Sequence, residues 1–444
     1  MASKNGTGIV DVTRGPVDLT VPSDGEKFRY GNGFPFQAGP HTAGVFLNLR
    51  FEGFPAGDFE AGMDVVLFDD LDSISSKDAV KITRSVYSDH PETGKPRVTI
   101  KHSQRGGFVP FGAKRDDGTP HPAAGTGFLL GEALNFPSYG DGYYKKEDKT
   151  RDMTRHMELS HLAYDGETFS VTDQELLHAE ENPLQAPGSE WKIFSGGLKN
   201  AIPDGDDLLF GVEATRQDAN LCWPAEPAVG VSRWQCRSGR WRPTSFVPVI
   251  QSHPSEDPPT VYGQAMDAFP IEPSVIRDRD GSLLFTERWC YSPLEEHMIR
   301  VHRSTDDGAT WSEVITVPDV KAQAPITINT AADGTPYIVT LKPGHERDWI
   351  LLWTLNEVRT GLNDPITVRN GLDDFGPPPS GTIWFMDHPN GTVARLADGE
   401  WHGLLSYRVL DRGEHGGGDP TPFTGHYVEE VISNGPAVPE WNFD

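Results

Sequence analysis

Residues 304–311 read STDDGATW, and the reading of this stretch decides the fold. Asp306, Asp307 and Gly308 carry turn chemistry: an aspartate side chain can bond its own backbone two residues on, and glycine takes positive φ without strain. The flanks, HMIRVHRS before and TWSEVITV after, alternate as strands do. The stretch therefore predicts a tight turn between antiparallel strands, with Trp311 reaching into a core. A calcium loop would need a longer ladder of oxygen ligands ending in a glutamate, which is not here.

Working outward, the same grammar recurs. Asp-Gly recurs, among other positions, at 117, 141, 165, 204, 280, 307, 333 and 398, and Asn-Gly at 370, 390 and 434. Short apolar or alternating runs lie between these dipeptides, and 47 glycines and 37 prolines leave little room for helices. The only modest helical candidate is SISSKDAVKITRSV, residues 73–86. Many short strands with regular turns predict an all-β chain. EPSVIRDRDGSLLFTERW is echoed by APITINTAADGTPYIVTLK and by GTIWFMDHPNGTVARLADGEWHGLLSYRV, while RSGRW (237–241) and ADGEW (397–401) look like eroded copies of the opening stretch. Repeats of that kind predict a propeller. Blades of about 40–50 residues, with loops allowed for, fit six to eight into 444 residues. No linker divides the chain, so residues 1–444 are expected to form a single β-propeller domain, its N-terminal strand closing the last blade.

Composition narrows the function. A formal charge of −26 argues against nucleic acid, where a basic footprint is expected. It also means that an anionic substrate must meet a local basic pocket. No stretch approaches the length of a membrane span, and the N-terminus, MASKNGTGIV, has no run of signal-peptide type, so no compartment follows from the sequence. Three cysteines cannot all pair within one chain, so this is not a disulfide scaffold.

The pattern S-x-D-x-G-x-T-W, matched by Ser304, Asp306, Gly308, Thr310 and Trp311, resembles the Asp-box of sialidase-like β-propellers. That box is structural and speaks for the fold. A sialidase should also carry F-R-I-P near its start, whereas Phe28 and Arg29 are followed here by Tyr30 and Gly31. Residues 101–128, KHSQRGGFVPFGAKRDDGTPHPAAGTGF, and the C-terminal YRVLDRGEHGGGDPTPFTGHYVEEV look like the seven-bladed propeller polysaccharide lyases typified by ulvan lyases. That resemblance implies seven blades and β-elimination on an acidic, glucuronate-containing polysaccharide, with or without rhamnose neighbours. Related α-L-rhamnosidases use another face of the disc, and a carbohydrate-binding propeller without chemistry is the third reading.

A uronate lyase must take the C5 proton, cover the adjacent carboxylate and protonate the leaving oxygen. The resemblance gives the proton-transfer roles to His102 and His121, and the carboxylate clamp to Arg216, whose planar fork matches a carboxylate. Tyr262 is the candidate second proton-transfer or stacking group. Where the family would place a tyrosine before the arginine, this chain has SGGLKN, which makes Lys199 and Asn200 candidate substrate-binding residues. His41 would carry hydrolysis if the rhamnosidase face were active. Some of these lyases hold a structural zinc, for which Cys222, Cys236 and Cys290 with His345, or His388 in its place, are the candidate ligands; three free thiols are the alternative.

Overall fold

The computed structural model describes residues 8–12, 17–18, 28–51, 60–74, 79–84, 86–89, 96–137, 154–178, 184–216, 227–252, 260–261, 264–265, 269–290, 298–318, 325–345, 347–381, 383–411 and 424–444. Six antiparallel sheets follow one another along the chain and form the blades of a propeller. From the inner strand outward, the first is Phe28–Gly39, Thr42–Phe51, Glu60–Phe68 and Val80–Arg84. The second is Pro96–Val109, Thr126–Pro137, Thr154–Tyr164 and Phe169–His178, with Val86–Asp89 added beside its first strand. In the third, Lys192–Gly196 and Ile202–Asp204 share the inner position, followed by Asp207–Thr215, Ala228–Arg237 and Arg240–Gln251. The fourth is Phe269–Arg277, Leu283–Cys290, Met298–Ser304 and Ser312–Pro318; the fifth is Thr327–Thr330, Pro336–Leu341, Trp349–Thr354 and Ile366–Asn370. The sixth is Trp384–Arg395, Trp401–Asp411 and Thr424–Ser433, joined by Ile9–Val12 from the other end of the chain, which pairs Ile9 with Ser433 and Val12 with Val431.

The blade count is six, not seven. Seven was what the resemblance implied; six lies within the six to eight that chain length allowed, and it falls at the low end because strands here run to 14 residues and the second, third and sixth sheets each carry a fifth strand. Packing gives the same count independently. Each of the six gaps between neighbouring blades has its own apolar core, from Phe34, Phe46 and Phe108 between the first two to Tyr30, Val45, Leu404 and Val428 between the last and the first. Between the second and third blades Phe128 and Trp234 stack 4.2 Å apart, a geometry worth about 0.5–1.5 kcal/mol beyond the area they bury. The weak helical candidate is overturned where it is described: Val80–Arg84 is a strand, because Ile82 must face the core between the first and second blades.

All first-to-second and third-to-fourth strand turns lie on one face. Every described Asp-Gly glycine, at 118, 166, 205, 281, 308, 334 and 399, has positive φ in such a turn. The turns are stitched round the ring. Phe111 N donates to Ala38 O at 2.8 Å, Arg115 grips Asp206, and Arg277 reaches Asp204 at 2.7 Å. Arg359 binds Asp278 at 2.6 Å, Asp333 N donates to Ser433 Oγ at 3.1 Å, and Ala397 N donates to Asp69 O at 2.9 Å. The C-terminal segment crosses this face. Val438 N bonds Ala332 O in the fifth blade and Asn442 O accepts from Lys114 N in the second. Glu440 and Trp441 close a cavity of about 20 Å³ at the channel floor, room for about one water.

The 304–311 turn joins the third and fourth strands of its blade. Ser304 Oγ donates to Asp306 Oδ1 and accepts from Gly308 N, both at 2.8 Å, and Trp311 packs against Phe285 in the core shared with the third blade. RSGRW holds the same place in the third blade, but ADGEW lies between the first and second strands of the sixth. Asn390-Gly391 is no turn at all. It is mid-strand, where a Cβ on Gly391 would stand 2.4 Å from Tyr337 Oη.

The Asp306 carboxylate accepts from the Thr310 hydroxyl at 2.6 Å and the Thr310 N–H at 2.9 Å, which bring its pKa down from 3.8 to about 2. A carboxyl with a depressed folded-state pKa contributes stability that is present above its unfolded value and lost as pH falls through the folded one. Asp306→Asn is therefore expected to cost stability at neutral pH. The gap to wild type in melting temperature should close between about pH 4 and pH 2. A gap that stays constant over that window would show that the charge on Asp306 is immaterial.

Candidate active site

The inner strands break register near the channel. Breaks fall between Tyr30 and Gly33, His102 and Arg105, Ile193 and Ser195, Ile271 and Ser274, and Asp387 and Asn390. Two of them have a common local cause. Glu272 and His388 each precede a proline, which has no N–H for the ladder, so pairing lapses there and the chain bulges. Both residues adopt positive φ, +51° for Glu272 and +52° for His388. Non-glycine residues held in that region cost about 1–3 kcal/mol each and concentrate at functional sites.

The two bulges face each other. His388 Nε2 lies 3.7 Å from Glu272 Oε1, too far for a hydrogen bond. His388 Nδ1 is 2.8 Å from Asp387 Oδ1 but approaches obliquely and has no hydrogen-bond partner, so the contact is electrostatic. Arg408, directly across the ladder, holds Asp387 with two bonds, Nε to Oδ1 at 2.7 Å and Nη2 to Oδ2 at 2.6 Å. Arg347 comes from the turn after the second strand of the fifth blade to the same Oδ2 at 2.7 Å. Arg288 Nη1 binds Glu272 Oε2 at 2.8 Å, and Glu213 Oε1 accepts the Glu272 N–H at 2.8 Å. Blades three to six all contribute.

Burial pushes the Asp387 carboxyl up, but Arg408, then His388 and Arg347, outweigh it and hold the group well below the carboxylate range. Glu272 follows the same logic: burial opposes ionisation, and Arg288, His388 and Arg105 overcome it. Both carboxylates are thus charged. Behind Arg408, His426 is fully buried, and burial lowers its pKa to about 4. Its neutral ring donates from Nδ1 to Gly31 O at 2.9 Å and lies so close to Gly33 that a Cβ there would meet Nε2 at 2.2 Å.

The sequence-derived candidates are scattered. His121 lies on the turn face, with Nδ1 accepting from Ala123 N at 3.2 Å and Nε2 donating to Gly205 O at 3.1 Å. Both nitrogens are taken, and burial lowers its pKa, so it serves as a neutral brace between the second and third blades. His102 is at the register break of the second inner strand, roughly 20 Å along the strand from that turn. The two histidines do not meet. Arg216 is half-exposed, bound to Glu190 at 2.8 Å and stacked on Trp191, so its fork is engaged away from the cluster. His41 is exposed on the turn face, with Nδ1 3.1 Å from Leu396 O. Lys199 and Asn200 are buried in the channel wall. Lys199 donates to Gly391 O, and Asn200 to Pro35 O at 3.1 Å, so they tie the third blade to the sixth and the first. Tyr262 and Cys222 lie outside the described residues.

The described parts of the candidate zinc set lie apart. Cys236 sits beside the turn of its hairpin on the turn face, and Cys290 ends a strand about 20 Å away at the other face. His345 lies in the fifth blade, 3.7 Å from Asp348, and His388 belongs to the charged cluster. Among the described residues no group of three or more histidine, cysteine, aspartate or glutamate side chains is set to hold a metal.

The cluster itself escaped sequence reading. Its signals were an acid and a histidine each set before proline inside a strand (Glu272-Pro273, His388-Pro389), and arginines within the apolar runs FTERWC and LLSYRVL.

No protein-family model matches the chain, and no curated protein sequence does. Solved structures do share the fold. The Hadza microbial sialidase Hz136 aligns at a TM-score of 0.55 and 11% identity, over 94% of this chain and 69% of its own. A protein of unknown function from Dyadobacter fermentans aligns at 0.53 and 13%, over 96% and 100%. At these identities the likeness is one of fold: an all-β, six-bladed propeller with sialidase-like neighbours.

Removing one partner of a buried ion pair leaves the other charge uncompensated, at a cost of about 3–5 kcal/mol. Asp387→Ala should lose that much in urea denaturation, and adding Arg408→Met should recover part of it. A single variant within about 1 kcal/mol of wild type would mean that the cluster is hydrated and its charges independent.

Proposed function

We propose that this chain is a carbohydrate-processing enzyme for an acidic glycan, and that it cleaves a uronate linkage by β-elimination at the Glu272–His388 site. One observation carries the reading. In a chain of net charge −26, Arg105, Arg288, Arg347 and Arg408 gather around Glu272 and Asp387. Guanidinium groups concentrated against the global field suit a carboxylate-bearing sugar, and that carboxylate is where charge builds when the C5 proton leaves.

His388 is the candidate base. Its Nε2 faces the gap beside Glu272 rather than a fixed partner. In the proposed step the C5–H electrons form the C4=C5 double bond as the C4–O bond breaks. The proton passes to Nε2 and then to the departing oxygen, while arginine covers the carboxylate. Glu272 and Asp387, both ionised, stabilise the imidazolium formed on the way. His102, three residues before Arg105 on the same inner strand, is the candidate second proton-transfer group.

Hydrolysis of an acidic sugar is the second reading, favoured by the fold shared with the sialidase Hz136. Acid-catalysed hydrolysis needs a proton donor, and the two cluster carboxyls are held ionised, which favours elimination. Incubation with rhamnose–glucuronate and sialylated glycans separates the two. Ultraviolet absorbance of a new conjugated uronate marks elimination; free acidic sugar without it marks hydrolysis. His388→Ala should lower turnover by about 10²–10⁴-fold, and Arg288→Lys by about 10²-fold, because an ammonium cannot reproduce the fork. Folded variants with wild-type rates would place the chemistry elsewhere.

A further inference from the structure

Directly after the second strand of the fifth blade, Pro336–Leu341, the chain reads Lys342-Pro343-Gly344-His345. Proline fixes φ at the second position of a turn, and glycine supplies positive φ at the third, the signature of a type II turn. The structure has that turn: His345 N bonds Lys342 O at 3.1 Å, and Gly344 has φ +76°. Its two end residues therefore stand side by side, and both lie against the half-buried ring of Trp349. The Lys342 ammonium is 3.6 Å from the ring centroid, and the His345 ring centroid is 5.8 Å away. Lys342 makes no ion pair among the described residues.

That arrangement is unusual for this chain. Acids outnumber bases 65 to 39, so a lysine could readily find a carboxylate, yet this one is held by an aromatic face. A cation–π contact fixes an ammonium without neutralising it. The charge is left available and preorganised. The same connection then runs into Arg347, which reaches Asp387 at 2.7 Å and lies over the Phe385 ring at 4.3 Å. Lys342, His345 and Arg347 thus lead from the turn towards the charged cluster, with Glu346 and Asp348 interleaved in the sequence and Asp348 3.7 Å from His345.

We propose that Lys342, His345 and Trp349 form a separate subsite for an anionic sugar unit, next along the glycan from the one held at the Glu272–His388 site. Lys342 contacts the carboxylate, and His345 hydrogen-bonds the same group or a neighbouring hydroxyl. Trp349 keeps the ammonium and the imidazole in place and gives an apolar edge to the sugar ring. The inference rests on the acidic-glycan reading above.

The test is calorimetric binding to the full chain of a short and a long oligosaccharide from one rhamnose–glucuronate polymer. The short one fills a single subsite, and the long one spans both. Lys342→Gln and Trp349→Ala should weaken the long oligosaccharide on the order of tenfold, the scale of one charge-assisted contact, and leave the short one unchanged. The Lys342 effect should shrink with added salt. Should Trp349→Ala fail to fold, Lys342→Gln alone reads the subsite. If wild type binds the long oligosaccharide and Lys342→Gln binds it equally well, or if Lys342→Gln weakens both lengths alike, the subsite is overturned while the main site stands. If wild type binds neither oligosaccharide, the acidic-glycan reading falls and the subsite falls with it.

Discussion

Asp387 is a charge with no exposure to solvent, and it stays charged because guanidiniums come to it from different strands. Arg408 comes from across its own ladder and Arg347 from the neighbouring blade, while the His388 ring stands beside it from the next position in the chain. A carboxylate so buried would otherwise protonate or unfold its surroundings. The fifth and sixth blades are therefore locked at the channel by electrostatics as well as by the apolar core between them. The pairing is intolerant of displacement, since a bidentate contact needs its two strands in register. That register is set far from the site, by turns whose hydrogen bonds and ion pairs run round the opposite face.

The two faces thus divide the work. The turn face is short, glycine-marked and saturated with partners: Asp204 alone answers to Arg233 and Arg277. Its floor is sealed by the C-terminal segment, where burial lowers the Lys199 pKa and raises that of Glu440, each shift only partly opposed by the other group's charge. The bulged segment of the inner strands keeps looser contacts, such as the 3.7 Å gap between His388 and Glu272. Rigidity at one end lets strained backbone persist at the other, because positive φ at Glu272 and His388 needs surroundings that over-determine it.

How much of this the sequence disclosed follows from the range of each signal. The turn at 304–311 and the Asp-Gly series were legible because their causes are local: positive φ and side chains bonding their own backbone. The echoing stretches were legible as repeats, and each is the inner hairpin of the fourth, fifth or sixth blade. Blade number was not, because it depends on how many residues the loops and extra strands absorb. Nor was the site. Arg288, Arg347, Asp387 and Arg408 are spread over more than a hundred residues and meet only once the ring closes. His102 and His121, by contrast, looked like a pair because they are near in sequence, yet a strand carries them to different ends of the blade.

Net charge and local charge also act over different lengths. The acidic glycan proposed as substrate would be repelled by a chain of charge −26, but at physiological salt that repulsion is screened beyond about 8 Å. Inside the channel the screening fails, and what matters is the handful of guanidiniums within contact distance. There a low effective dielectric makes each arginine count for more than it would on the surface. The same burial that makes Asp387 costly makes Arg288, Arg347 and Arg408 strong. On the proposed reading, the acidic exterior costs some speed of encounter, and affinity rests on the guanidiniums that a ligand's charge would meet inside the channel.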